Sequence, residues 1–194
     1  MKLSGKRVGF AITGSFCTFQ DIVEPLQSLV AAGADVYPIM SQAAHQYDTK
    51  FGASLHWRNL IEGLSGRSII HDIVGAEPIG PGQMLDLIIV APCTGNTLAK
   101  LANAVTDSPV TMAAKAHLRN GRPVLLAIAT NDGLGQNAKN IGLLLAAKHF
   151  YFVPFGQDNA RTKPTSLIAD MKQIKAAAEL ALEETQLQPI LITH

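Results

Sequence analysis

The sequence has little with which to build a disulfide framework, a metal centre or a charged interface. Its only cysteines, Cys17 and Cys93, show no metal-ligand spacing, so a reducing cytoplasm is the expected compartment and no metal site is expected. Sixteen Lys and Arg stand against 15 Asp and Glu, a formal charge of +1, which leaves no electrostatic footprint for nucleic acid or an acidic membrane. No apolar run approaches the roughly 20 residues of a membrane span. Lys2, Lys6 and Arg7 precede only the short Val8–Ile12 stretch, too little for a signal peptide. Repeats, linkers and low-complexity tracts are absent, so residues 1–194 read as one domain. What is there is apolar: 47% of 194 residues, against 16% charged. That supports a sizeable core and leaves few solvated positions, which points to surface buried against further copies of the chain.

Strand and helix patterns alternate. Val8-Gly9-Phe10-Ala11-Ile12 reads as a buried parallel strand, and Thr18–Ala32 as a helix with Ile22, Leu26, Leu29 and Val30 on one stripe and Gly33 as its stop. Asp35–Met40 is a second strand, and Ser41 opens a turn and helix. This βαβ unit indicates an α/β, three-layer doubly wound parallel sheet. The middle is less regular: Leu55–Leu64 reads as a short helix, Ser68–Val74 as a short strand or extended segment, and Glu77–Gly82 as a loop. Alternation resumes with strands at Leu85–Ala91, Val124–Ala129 and Phe150–Phe155. Helices are expected over Thr97–Val105, Pro109–Asn120 and Asn137–Lys148, and a closing amphipathic helix over Ser166–Glu184 on Leu167, Met171, Ile174 and Ala178.

The chemistry lies in the turns behind these strands. Thr13-Gly14-Ser15, Ser41, Pro92-Cys93-Thr94-Gly95-Asn96-Thr97 and Thr130-Asn131-Asp132 all fall at the carboxyl edge of the expected sheet, where open α/β sheets bind ligands. Small, uncharged hydroxyl and amide residues there suit a planar, phosphorylated ligand: Gly admits close backbone approach, and hydroxyls and helix amino ends attract the anion. The chain has neither the Gly-x-Gly-x-x-Gly fingerprint of a dinucleotide site nor a P-loop lysine.

Candidate catalytic groups are His56 and His71, whose imidazoles could remove a ring proton, and Cys93, near an expected helix amino end. The plainer reading is an exposed or hydrogen-bonded structural histidine in each case, and for Cys93 a small buried residue fitting a turn. His45, His117, His149 and His194 stand in no motif. Arg58, Arg161 and Lys163 are candidates for gripping a carboxylate substrate; the plainer reading of the last two is a solvated loop.

The same turns carry a family resemblance. Thr13-Gly14-Ser15, the Ser41 turn and Pro92–Asn103 resemble the flavodoxin-like flavoprotein fold shared by flavin-dependent cysteine decarboxylases and flavin prenyltransferases. The last run is similar to the decarboxylases' Pro-Ala-Ser-Ala-Asn-Thr motif, with Cys93 and Gly95 as substitutions. The resemblance implies FMN at Thr13, Gly14, Ser15, Ser41, Pro92, Thr94, Gly95, Asn96, Thr97, Thr130 and Asn131. Within that superfamily, Arg67–His71, Ala76–Pro81, Ala91–Thr97, Asn131–Gly135 and Pro154–Asp158 are similar to the family of dipicolinate synthase B subunits. That similarity implies a part in oxidising dihydrodipicolinate to dipicolinate during sporulation, in the mother-cell cytoplasm. The implied partner is the A subunit of dipicolinate synthase, carrying NADP; the implied ligand is a dicarboxylate, and the implied assembly a trimer or larger homo-oligomer.

Two departures bear on activity. The decarboxylases' catalytic histidine lies fourteen residues before the motif's proline, a place held here by Pro78. The prenyltransferases' phosphate-binding arginine follows the strand equivalent to Val124–Ala129, where this chain reads Thr130-Asn131. Three readings stand side by side: a B subunit that assists the partner's hydride transfer, a self-sufficient FMN decarboxylase or prenyltransferase, and a non-catalytic interaction subunit.

Overall fold

The computed structural model describes residues 2–193, so His194 lies outside the described residues. In chain order the elements are β1 (Arg7–Ile12), α1 (Val23–Ala31), β2 (Asp35–Met40), α2 (Gln42–Gln46), α3 (Ser54–Ser65), α4 (Ile73–Ala76), β3 (Leu87–Cys93), α5 (Gly95–Ala102), α6 (Pro109–Leu118), β4 (Val124–Thr130), α7 (Ala138–Leu145), β5 (Phe150–Phe152), β6 (Phe155–Asn159), β7 (Lys163–Ala169) and α8 (Ile174–Ala181). Parallel pairing in the order β2-β1-β3-β4-β5 gives the flavodoxin-like arrangement. Helices cover both faces of the sheet, α1 against α8 and α5 against α6 and α7. Strands β1, β3 and β4 are nearly continuous apolar runs because both faces are covered; every residue of β3 is buried.

The sheet is not wholly parallel. The antiparallel hairpin β6–β7 joins the end of β4 through Ala129 and Thr130, opposite Ile168 and Leu167. This corrects two expectations. Phe150–Phe155 is not one strand, because Val153-Pro154 separates β5 from β6. Ser166–Glu184 is not one helix: Leu167 lies in β7 and the helix begins only at Ile174. Leu167, Met171, Ile174 and Ala178 are all buried, so their helical spacing reported burial correctly and conformation wrongly. Strand β7 is selected by its non-local partners, which a local period cannot register.

Several boundaries differ. Two 3₁₀ turns, Phe16–Thr18 and Gln20–Ile22, replace the start of the expected Thr18–Ala32 helix. Strand β3 runs through Pro92 to Cys93, and a register shift between Val90 and Cys93 accommodates the proline in a central strand. Glu77–Ile79 forms a 3₁₀ turn rather than an open loop. Of Ser68–Val74, only Ile70 pairs with the sheet, donating to Pro38 O and accepting from Met40 N, both at 2.9 Å, before α4 begins. No helix among the described residues is long and apolar enough to cross a membrane.

Candidate cofactor and substrate site

In the strand order β2-β1-β3-β4, the residues leaving the carboxyl ends are Ser41, Thr13, Thr94 and Asn131, neighbours along one rim. Two adjoining cavities open on it and share Gly14, Thr94 and Asn96. The first, about 720 Å³, is walled by Ser41, Gln42, Thr97, Ser108 and His71, with Lys100, Asp72 and Asp107 as its charged residues. The second, about 520 Å³, is walled by Ser15, Phe16, Cys17, Phe51 and Ala129–Asp132.

The amino ends of α5 and α6 both reach the first cavity. Thr94 caps α5, its hydroxyl accepting from Thr97 N at 3.3 Å. Ser108 caps α6 in a reciprocal box with Thr111, and Pro109 takes the first helical position, where no N–H is needed. Each helix therefore presents its positive end to the same space, which favours an anion. Asn96, exposed between the cavities, makes no side-chain hydrogen bond within the described chain. Its carboxamide is free to meet a ligand.

Other candidates are more occupied than their residue types suggest. Thr13 is 1% exposed; its hydroxyl donates to Pro92 O at 2.6 Å and accepts from Thr94 N at 3.0 Å. It fastens the end of β1 to the end of β3, so the proposed hydroxyl donor is engaged internally. Helix α1 begins far past Thr13–Ser15, so the amino ends facing the site belong instead to α5 and α6. Cys93 is fully buried, and burial pushes its thiol well up. That removes the helix-activated nucleophile and leaves a small core residue.

His56 and Arg58 lie on α3 and line neither rim cavity. Arg58 is half-buried, and its charge helps to lower the pKa of His45. Arg161 and Lys163 lie in and beside the β6–β7 turn rather than in an open loop. Lys163 pairs with Asp158 at 2.6 Å, and Arg161 lines a separate cavity of about 390 Å³. The structure does not bring these three cations and one imidazole into the walls of the rim cavities. His71 does reach it, carried there by the Ile70 bridge to β2.

Sequence reasoning placed Asp132 in a candidate turn but missed the polar network in the wall of the second cavity that ties it to Asn137 and Asn140. Asp132 accepts from Thr130 Oγ1 at 2.7 Å and from Asn137 Nδ2 at 2.9 Å. Asn140 donates to Asn137 Oδ1 at 2.8 Å, and Asn103 donates to Asn140 Oδ1 at 3.4 Å. These donors hold the Asp132 carboxyl below its ordinary range. The visible signal was the cluster of Asn and Asp in residues 131–140, too many side-chain amides for a plain turn and helix start. The Ser108-Pro109 pair was likewise a legible helix-start signal.

The flavoprotein family model matches residues 1–179. The B subunit of dipicolinate synthase from Bacillus subtilis (strain 168) is 48% identical over 192 residues, covering 99% of this chain and 96% of that protein. A crystal structure of the dipicolinate synthase B subunit from Bacillus halodurans C superposes with a TM-score of 0.92 at 48% identity, over 100% of this chain and 99% of that one. The FMN-dependent cysteine decarboxylase SpaF has a TM-score of 0.68 at 17% identity, over 93% and 99% of the two chains; that likeness is one of fold.

Proposed function

Since the chain belongs to the flavoprotein family, we propose that it is a B-type subunit that assists a partner subunit in oxidising dihydrodipicolinate to dipicolinate. The observation that carries this reading is the near-full-length similarity to the Bacillus subtilis protein. The rim supports it chemically. Ser41, Thr97 and Ser108, with the amino ends of α5 and α6, offer neutral donors to an anion. Phe16, Phe51 and Ala129 give the second cavity apolar walls beside Asn96 and Asn131, a setting for a planar ring. FMN fits this pairing: the two cavities adjoin at Gly14, Thr94 and Asn96, where the Asn96 carboxamide has no hydrogen-bond partner among the described residues.

A flavin held there would supply a redox-active ring, but the oxidation releases a single electron pair, which this reading gives to NADP, so the flavin would not be its acceptor. Dihydrodipicolinate becomes aromatic by losing one hydride equivalent, taken by NADP on the partner, and one ring proton, taken by a base. The residues of this chain hold and orient the ligand ring, Asn96 by its free carboxamide and Thr94 by capping the helix that carries it. The setting is the mother-cell cytoplasm of a sporulating cell, with the chain assembled as a homo-oligomer. A self-sufficient decarboxylase fits less well, since Pro78 lies exposed in the Glu77–Ile79 turn and lines neither rim cavity.

The test is dihydrodipicolinate oxidation by the partner subunit with and without this chain, with and without FMN. Omitting the chain is expected to reduce turnover by tenfold or more, on the order of 1.4 kcal/mol of barrier; full turnover by the partner on its own overturns the reading. Asn96→Ala is expected to weaken FMN binding about tenfold, the loss of one ligand hydrogen bond, with thermal stability unchanged. An unaltered titration of flavin fluorescence removes Asn96 from the site.

A further inference from the structure

The first cavity contains a histidine arrangement that phosphate binding through hydroxyls and helix ends does not require. His45, on α2, and His71, just after the Ile70 bridge, stack with ring centroids 4.3 Å apart and planes 20° from parallel. His71 lines the cavity and is half exposed, with Nδ1 4.0 Å from Asp72 Oδ2. His45 does not line the cavity; it is half-buried and feels the charges of Arg58 and Glu62 of α3.

The charges around the cavity do not by themselves suit an anion. Lys100 is the lysine in its wall, and it is paired with Asp107 at 2.8 Å. Asp72 adds a second carboxylate, with Oδ1 accepting from Gly75 N at 2.6 Å. One lysine against two aspartates leaves the wall net negative while His71 is neutral. Protonating His71 cancels that excess. The proton belongs on His71 rather than His45: two stacked imidazolium rings repel, and burial together with His71 and Arg58 already holds His45 below the ordinary imidazole range, opposed only by Glu62.

We propose that the stacked His45–His71 pair makes this cavity a proton-coupled anion site, in which a dianionic phosphate monoester binds together with one proton taken up by His71. The inference rests on the reading of the cavity as a phosphate site and extends it: affinity is set by pH as well as by donors. His45 is a positioning residue that stays neutral, keeps the His71 ring against the cavity and limits the pair to a single charge.

The test is isothermal titration of the intact chain with sulfate, between about pH 6 and pH 8, in buffers of different protonation enthalpy. Sulfate remains dianionic throughout, so any proton taken up resides on the protein. Wild type is expected to bind with uptake of up to one proton, affinity rising by up to about tenfold per pH unit lowered. Histidine NMR is expected to place that proton on His71. His71→Gln, at an exposed position, is expected to bind with no proton uptake and a flat pH profile, while His149→Gln, at a distant turn, keeps both. Sulfate binding without proton uptake, or a pH slope retained in His71→Gln, overturns the proposal. A parallel FMN titration separates the two levels: FMN binding without proton uptake defeats only the coupling, whereas failure of both sulfate and FMN to bind defeats the phosphate reading and the coupling with it.

Discussion

Replacing Gly95 by alanine is expected to lower stability by about 3 kcal/mol or more, a large effect for one methyl group. A Cβ at that position would lie 2.5 Å from Thr130 Oγ1, 2.6 Å from Asn137 Nδ2 and 2.9 Å from Asp132 Oδ1. None of these atoms can retreat independently, because Thr130 and Asn137 both donate to Asp132 and Asn140 donates to Asn137. Asn137 and Asn140 are 8% and 5% exposed, so displaced amides lose partners without gaining water, at about 1–3 kcal/mol for each group left unpaired. Gly14 provides the contrast. The nearest atoms to its added Cβ are at 3.5 and 3.6 Å, so Gly14→Ala is expected to change stability by less than about 0.5 kcal/mol while crowding the junction of the cavities. Urea unfolding of the two variants checks both statements; a Gly95→Ala protein as stable as wild type removes the network as the reason for glycine.

Acidification from pH 7 to pH 5 is expected to remove about 2 kcal/mol of stability through His117 alone. This ring is 1% exposed, its Nε2 lies 3.0 Å from Pro123 O, and burial pushes its pKa down to about 4. In the unfolded chain histidine titrates near 6.5. Between those values the unfolded chain binds more protons than the folded one, so stability is present above about 6.5 and lost as pH falls towards about 4. Nearby Arg122 adds to the depression, and Asp86 opposes it. His117→Gln keeps a side-chain amide able to reach the same carbonyl without a titrating ring. Its unfolding free energy is expected to fall less over this interval, by about 2 kcal/mol, in urea titrations at the two pH values. Parallel curves for wild type and variant exclude His117 as the source.

Much of the fold was legible because it is recorded locally. Asp35–Met40 is a strand as read, and Ser41 caps the helix that follows, accepting from Ala44 N at 3.3 Å. The buried parallel strands are unbroken apolar runs, and glycines such as Gly66 stop helices in the left-handed conformation. Where the reading failed, the deciding partner was distant in sequence. Leu167 is a strand residue because β7 pairs with β6 and β4. Pro92 lies in a central strand because a register shift relieves the ladder there. His45 showed no motif in the sequence, yet it stacks on His71 because Ile70 bridges to β2.

The sequence by itself determined which segments form the parallel strands, and that the small polar turns behind them share one rim. Continuous burial and the fixed handedness of βαβ crossovers leave little other choice. It also carried the family, through runs such as Ala91–Thr97. Only the tertiary structure decided which polar groups on that rim remain free. Thr13 is engaged between two strands while Asn96 is open, Cys93 is sealed in the core, and His71, stacked on His45, joins a wall whose one lysine stands against two aspartates. The physical reason is that hydrogen-bond satisfaction and charge balance belong to neighbourhoods, and these neighbourhoods are assembled from residues far apart in the chain.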